Sequence, residues 1–316
     1  MDAPSYWSRY KDLSNTQNIH VAKHAASDGC PIFVVEIGSK ERADLVLVNP
    51  PGTPFLLMSR LGLLLGTRYR VTSWENRGSP YLDVDIGEVN SAEISIERLA
   101  IDFCEILRAR EISRPHVVAH CGGLSFILRA CAESGVELSS LSLISPPPSI
   151  SSVRHPTAFD AQFAPQLGAL AQASSDTFDE ILRSLKLFVS GPQLKRQDER
   201  TLVSLCRESN RTDQLWRDFA IMWNSFWPVL DEEKLEQNRA MDLQLMAAVG
   251  KVIPVSIFQP RDDPVVDYRC SIEAAVRNLS KMILYPTGGH FLPYRQPALL
   301  ARDIFSFLSG ATEQTV

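Results

Sequence analysis

The sequence predicts an α/β fold: a mostly parallel sheet that carries a helical insertion late in the chain. Three observations lead there. Short apolar strands alternate with amphipathic helices through roughly the first 150 residues, and strand signals resume after about residue 250. The intervening stretch is helix-rich and has no convincing strand. Between a strand and a helix stands Ala119-His120-Cys121-Gly122-Gly123, whose small residues permit a sharp reversal. Buried strands separated by helices imply right-handed crossovers and chemistry at the strands' carboxyl ends. The expected organisation is a core over 1–150, a helical lid over 151–250 and the rest of the core over 251–316.

The elements follow in order. Ile19-His20-Val21-Ala22-Lys23 and Ile32-Phe33-Val34-Val35-Glu36-Ile37 flank a Ser27-Asp28-Gly29 turn and predict an antiparallel hairpin. Leu45 to Val48 is a fully apolar strand ending at Asn49-Pro50-Pro51-Gly52-Thr53-Pro54, with an apolar helix after it from Phe55 to Leu65. Tyr69 to Trp74 is the next strand. A helix over 91–110 presents Ile94, Ile96, Leu99, Ile101, Phe103, Ile106 and Leu107 as its apolar face, with Ser91 as its expected N-cap. Arg114 to Val118 reads as the strand before the sharp turn, and the helix after it runs to about Ser134. Strands are then expected at 141–145, 253–258 and 282–285, and a final helix over 297–308.

Composition narrows the class. At 316 residues and 45% hydrophobic, the chain can bury a full core. A net charge of −5 argues against general nucleic-acid binding, which relies on phosphate neutralisation. No apolar run is long enough to span a bilayer, so no membrane partner is expected. The N-terminus lacks the basic-then-apolar order of a secretory signal. Cys30, Cys104, Cys121, Cys131, Cys206 and Cys270 show no C-x-x-C spacing, which predicts neither a zinc site nor a disulfide framework. A cytoplasmic protein with reduced thiols and no cofactor is the simplest expectation.

The chemistry centres on Cys121. The usual strand–elbow–helix carries G-x-S-x-G with serine as nucleophile, and here sulfur replaces oxygen. A cysteine nucleophile acts as its thiolate, which a helix N-terminus and an imidazole both favour. It needs a base and the base needs an orienting acid. Asp262-Asp263-Pro264-Val265-Val266 follows the strand at 253–258, and Gly288-Gly289-His290-Phe291 follows the strand at 282–285. Acid and base thus stand at the same sheet edge as Cys121. The glycine pair lets the chain fold tightly before His290, the expected base, while Asp262 and Asp263 compete as the acid. A developing oxyanion needs backbone donors: Gly122 N–H supplies one, and because Pro50 and Pro51 have no N–H, Gly52 or Thr53 must supply the other.

The order nucleophile, acid, histidine behind such an elbow resembles the α/β-hydrolase fold over nearly the whole chain. That family places its acid immediately before P-V-V, which favours Asp263 and leaves Asp262 as a turn former. The segments Val48-Asn49-Pro50-Pro51-Gly52-Thr53-Pro54 and Trp74-Glu75-Asn76-Arg77-Gly78, with the cysteine elbow, are similar to a cysteine-nucleophile subgroup from nonribosomal peptide and polyketide biosynthesis. The subgroup includes aminoacyl and acyl carrier-protein shuttles alongside type II thioesterases. The resemblance implies acyl or aminoacyl transfer through a Cys121 thioester, with an acyl-carrier protein and its phosphopantetheine arm, or a small-molecule acyl thioester, as partner. Where many hydrolases have His-Gly this chain has Asn49-Pro50, and where relatives carry an aromatic residue before the cysteine it has His120.

The remaining candidates concern substrate. His120 reads as a pocket or packing residue and, with Trp223 and Trp227, is a candidate for substrate binding. Trp216, Phe219, Trp223, Phe226 and Trp227 recur at helical spacing, as a stripe that packs the lid or walls an acyl chain. Arg183 to Arg217 holds eight Lys/Arg against four Asp/Glu, either a solvated surface or a docking face for an acidic carrier protein. Glu75 and Arg77 read equally as a structural ion pair or as groups shaping the site. The rival functions are hydrolysis, with water as acceptor, and a non-catalytic binding protein of the same fold.

Overall fold

The structure, a computed structural model, describes residues 19–51, 53, 55–77, 95–157, 159–190, 217, 220–221, 223–224, 227–228 and 230–313. Its strands are β1 (Ile19–Ala25), β2 (Pro31–Ile37), β3 (Asp44–Val48), β4 (Arg70–Trp74), β5 (His116–His120), β6 (Ser140–Ile144), β7 (Val255–Pro260) and β8 (Lys281–Tyr285). They form one sheet in the order β1-β2-β4-β3-β5-β6-β7-β8. The first two pairings are antiparallel and the other five parallel. The predicted hairpin is present, with Val21 opposite Val35.

Central strands are apolar because both faces are covered. Every residue of β6 is buried, as are Leu45 to Val48 of β3. Alternation then assigns side chains to layers. Val46, Val48, Val117 and Ala119 pack toward α2 (Ile96–Ala109) and α3 (Gly123–Ser134). Leu45, Leu47 and Val118 pack toward α1 (Leu56–Leu65) and the C-terminal helix over Pro297–Glu313. Trp74, Phe103 and Phe126 continue the first layer, with ring centroids 5.9 and 6.4 Å apart in sequence.

Helix α2 starts later than the sequence suggests, and Ile101, expected on its apolar face, is exposed. Ser95, not Ser91, is the N-cap, its Oγ accepting the Arg98 N–H at 3.1 Å, and Ser91 lies outside the described residues. Helix α3 stops at Gly135, whose φ of +65° reverses the chain. Between β6 and β7 the regular elements among the described residues are all helical: a 3-10 turn at Pro148–Ile150, a π-helical turn at Phe159–Phe163, α4 (Ala164–Gln172), α5 (Ser175–Ser190) and α6 (Glu232–Val249). Two helices were not anticipated, α7 (Tyr268–Arg277) and the short α8 (Leu292–Arg295). Asp267 caps α7, accepting the Arg269 N–H at 2.9 Å. The last helix, α9 (Pro297–Glu313), runs beyond the expected Leu308. Among the described residues no helix is long and apolar enough to cross a membrane.

Arg77 explains part of the Trp74–Gly78 segment. Its fully buried guanidinium meets Asp102 through Nε and Nη2 at 2.6 and 2.7 Å, and Asp28 through Nη1 at 2.7 Å. It thereby ties the end of β4 to α2 and to the β1–β2 turn. Burial opposes its charge, but the two carboxylates hold it charged. Glu75, also fully buried, accepts the Phe55 N–H at 2.9 Å and so fixes the start of α1.

Removing one member of this cluster leaves a buried cation under-compensated. Asp102→Asn should destabilise the protein by about 3 kcal/mol in urea titration. The Arg77 hydrogen bonds hold Asp28 down to about 2 from its ordinary 3.8. A depressed carboxylate stabilises the fold above its unfolded pKa, so this contribution should fade as pH falls from about 4 toward 2. Thermal midpoints of Asp28→Asn should converge on those of the parent over that window.

Candidate active site

Cys121 occupies the turn between β5 and α3 with φ +45°, the left-handed region. A side chain there costs about 1–2 kcal/mol and persists only where the surroundings impose it. They do: the Cys121 N–H donates to Ile144 O at 2.9 Å, and Leu124 N–H donates back to Cys121 O at 3.1 Å. Gly123 is required by close approach. A Cβ there would stand 2.9 Å from Asn49 O and 3.0 Å from Val48 Cγ1. The thiol is free, its residue 6% exposed, and it stands immediately before Gly122, the N-cap of α3.

Two loops deliver the partners. Gly288 and Gly289 have φ +152° and +60°, and a Cβ on Gly288 would meet Leu292 Cδ1 at 2.6 Å. His290 follows, and its Nδ1 lies 3.1 and 3.2 Å from the two Asp263 carboxylate oxygens. Cys121 stands close enough to this ring for its sulfur to help raise the imidazole's pKa. Asp263 is itself held: its Oδ1 accepts the N–H groups of Val265 and Val266 at 2.8 and 3.0 Å. Asp262 takes a different position, accepting the Gly289 N–H at 2.7 Å. The two adjacent aspartates thus divide the work, one on the imidazole and one on the turn before it.

The electrostatics favour a charged imidazole. Burial opposes the imidazolium, but Asp263 and then Cys121 outweigh it and raise His290 from 6.5 to about 10. Burial likewise works against the Asp263 carboxylate, and the charge of His290 and its hydrogen bonds still hold it below its ordinary value. His120 goes the other way. Burial and the neighbouring His290 charge push it down to about 3, so it is neutral.

The other sequence candidates are distributed as follows. His120 does not line the cavity at Cys121. Its Nε2 lies 2.9 Å from His290 O, and the two rings stand 4.8 Å apart. A carbonyl only accepts, so Nε2 carries the proton. Trp223 and Trp227 do line that cavity, with Gly122, Ser125, Phe159 and Val266. Trp216, Phe219 and Phe226 lie outside the described residues, as does most of the basic stretch over 183–217. Gly52 also lies outside them. Thr53 is described, and both its N–H and its Oγ1 donate to Pro50 O, at 3.2 and 2.7 Å.

The cavity is small, about 20 Å³, room for about one water molecule. The sequence reading missed the His120 and Asp262 anchors. A histidine next to the nucleophile and a doubled aspartate were visible, but nothing local indicated that both reach the loop around residue 290. A thiol beside an imidazole that a carboxylate orients can pass its proton to the ring, which holds it while sulfur attacks an electrophile.

Comparison with known proteins places the fold. No family model matches the chain, and no curated protein matches it. Solved structures do. An α/β-hydrolase-fold protein from Burkholderia ambifaria is 21% identical with a TM-score of 0.63, covering 90% of this chain and 97% of its own. A hydrolase from Pseudomonas aeruginosa PA01 is 19% identical with a TM-score of 0.65, covering 92% and 98%. The haloalkane dehalogenase DbeA from Bradyrhizobium elkani USDA94 is 13% identical with a TM-score of 0.72, covering 94% and 100%. At these identities the likeness establishes architecture: the chain has the α/β-hydrolase fold.

Two outcomes follow from the geometry. Gly123→Ala should push the β3 end away from the elbow, costing about 1–3 kcal/mol in chemical denaturation. The raised pKa of His290 stabilises the fold fully below its unfolded value of 6.5 and fades as pH rises through about 10. The stability gap between the parent and Asp263→Asn should therefore be widest near pH 6 and shrink toward pH 10, measured by thermal unfolding.

Proposed function

We propose that this protein cleaves an activated acyl compound, a thioester or ester, through an acyl-enzyme formed on Cys121. The observation that carries this reading is a thiol at a left-handed elbow beside an imidazole that is itself hydrogen-bonded to a buried carboxylate: Cys121, His290 and Asp263. In the first half-reaction, Cys121 sulfur bonds to the acyl carbon while His290 holds its proton. Collapse of the tetrahedral adduct breaks the bond to the leaving group, which takes that proton. In the second, an acceptor gives up a proton to His290 and attacks the thioester. Asp263 keeps the imidazole oriented throughout. With water as acceptor the reaction is hydrolysis, the activity consistent with the hydrolases among proteins of similar fold.

A second reading is favoured by the nucleophile itself. Exchange of a thioester onto sulfur is nearly isoenergetic, so the acyl group stays activated for another thiol. That suits transfer, with a phosphopantetheine arm of an acyl-carrier protein as donor. In either case Phe159, Trp223 and Trp227 must yield, since a space of about 20 Å³ admits no acyl chain.

Intact-protein mass spectrometry after exposure to a panel of acyl pantetheine thioesters tests the proposal. One acyl group should appear, on Cys121, and none on Cys121→Ala. Accumulated adduct that moves to a second thiol supports transfer, and rapid release of free acid supports hydrolysis. Cys121→Ser should lose thiol transfer more than hydrolysis, because an ester is harder to return to sulfur. Absence of any adduct or turnover across the panel would remove the proposal.

A further inference from the structure

An oxyanion next to Cys121 needs two donors, and beside the Gly122 N–H the described residues 50, 51 and 53 after β3 offer no uncommitted main-chain one. Pro50 and Pro51 open the loop after β3 and carry no N–H. The Thr53 N–H and hydroxyl are both committed to Pro50 O. One residue before the prolines stands Asn49, 1% exposed, and neither Nδ2 nor Oδ1 of its side chain has a partner among the described residues. A buried amide left unpaired costs about 1–3 kcal/mol for each group. Such an orphan calls for a reason, and service at a reaction centre is one.

Its position fits. β3 and β5 are parallel with Val48 opposite Ala119, so the next step along the register sets Asn49 beside His120, the residue before the nucleophile. The Asn49 carbonyl is the atom against which Gly123 is cut back. The Asn76 side chain fixes the same carbonyl at 3.3 Å. Asn49 is therefore held by its backbone at the elbow while its amide group is left unengaged.

The geometry points to the Asn49 side-chain amide as the second oxyanion donor, paired with the Gly122 N–H. The inference rests on the acyl-enzyme reading above. As Cys121 sulfur bonds to the acyl carbon, the carbonyl π pair moves onto oxygen. Gly122 N–H and Asn49 Nδ2–H then hydrogen-bond that oxygen. When the pair returns, the carbon–sulfur bond to the leaving thiol breaks, and the leaving sulfur takes the proton from His290. Asn49 would be a catalytic residue that stabilises charge present only in the adduct.

The test compares two reactions of the same sulfur. Acylation by a pantetheine thioester passes through an oxyanion. Alkylation by iodoacetamide displaces iodide at a saturated carbon and forms none. In Asn49→Leu, of similar volume but without donors, Cys121 acylation should fall about 100-fold while its alkylation stays within twofold of the parent. The thermal midpoint should hold or rise, since an apolar side chain replaces an unpaired buried amide. Asn49→Ala serves if the leucine variant does not fold. Acylation that persists in these variants overturns the assignment, as does equal loss of acylation and alkylation, which would make Asn49 a support for the thiol. A parent protein that is alkylated at Cys121 but acylated by no thioester fails at the proposed function instead, and the assignment falls with it.

Discussion

The left-handed backbone at Cys121 is the constraint on which the rest of the site depends. It aims one sulfur out of the sheet edge, and several unrelated features exist to keep it there. The Ile144 carbonyl holds its N–H, the missing side chain of Gly123 lets β3 close against α3, and the parallel register of β3, β5 and β6 brings all three strand ends to one level. A strained residue is stable only when its neighbours leave it no alternative. Here the alternatives are excluded by strands whose own stability comes from burial on both faces.

The imidazole is fixed with comparable thoroughness, by contacts spread over the whole chain. Asp263 holds the ring, Asp262 holds the turn before it, and His120 holds the carbonyl of His290 itself. The charges are arranged to agree. A neutral His120 adds no second cation beside His290, and a carboxylate bound by two backbone N–H groups remains an anion despite its burial. In so dry a site an unmatched charge would be costly, so each is matched before substrate arrives. That is preorganisation: the dipoles and charges that a reaction would recruit are already in place.

Much of this was legible in the chain. The strands and their mostly parallel arrangement follow from apolar runs alternating with helices, and the turn at 119–123 announces itself through alanine and glycine. Loops after the last two strands had to hold an acid and a histidine if the elbow meant anything. What could not be read was long-range. Helix α7 escapes a sequence reading because Asp267, its cap, sits in a stretch that reads as the loop carrying the acid. The assignment of Arg77 needed Asp28 and Asp102, neither of which is near it in sequence. His120 looks like any polar residue beside a nucleophile until the fold carries residue 290 next to it. Local rules describe turns and strands well, and they carry no information about which distant carbonyl a buried donor will find.

The segment between β6 and β7 completes the physical picture, because it closes over a site that would otherwise face water. Phe159, Trp223 and Trp227 cover the thiol, and Ser125 and Ser149 at the cavity wall donate to Asp242 of α6 at 2.9 and 2.7 Å. That carboxylate, 3% exposed, links the inserted helix to the elbow helix and to the chain leaving β6. Aromatic side chains contribute apolar area and can shift as rigid plates, whereas the Asp242 junction resists separation because breaking it would leave a buried polar group without its hydrogen bonds. Opening for substrate should therefore take place at the aromatic side of the cavity and leave the serine side fixed. The Cys121 thiol would then keep its alignment while the covering layer moves, as the proposed acyl-enzyme would need.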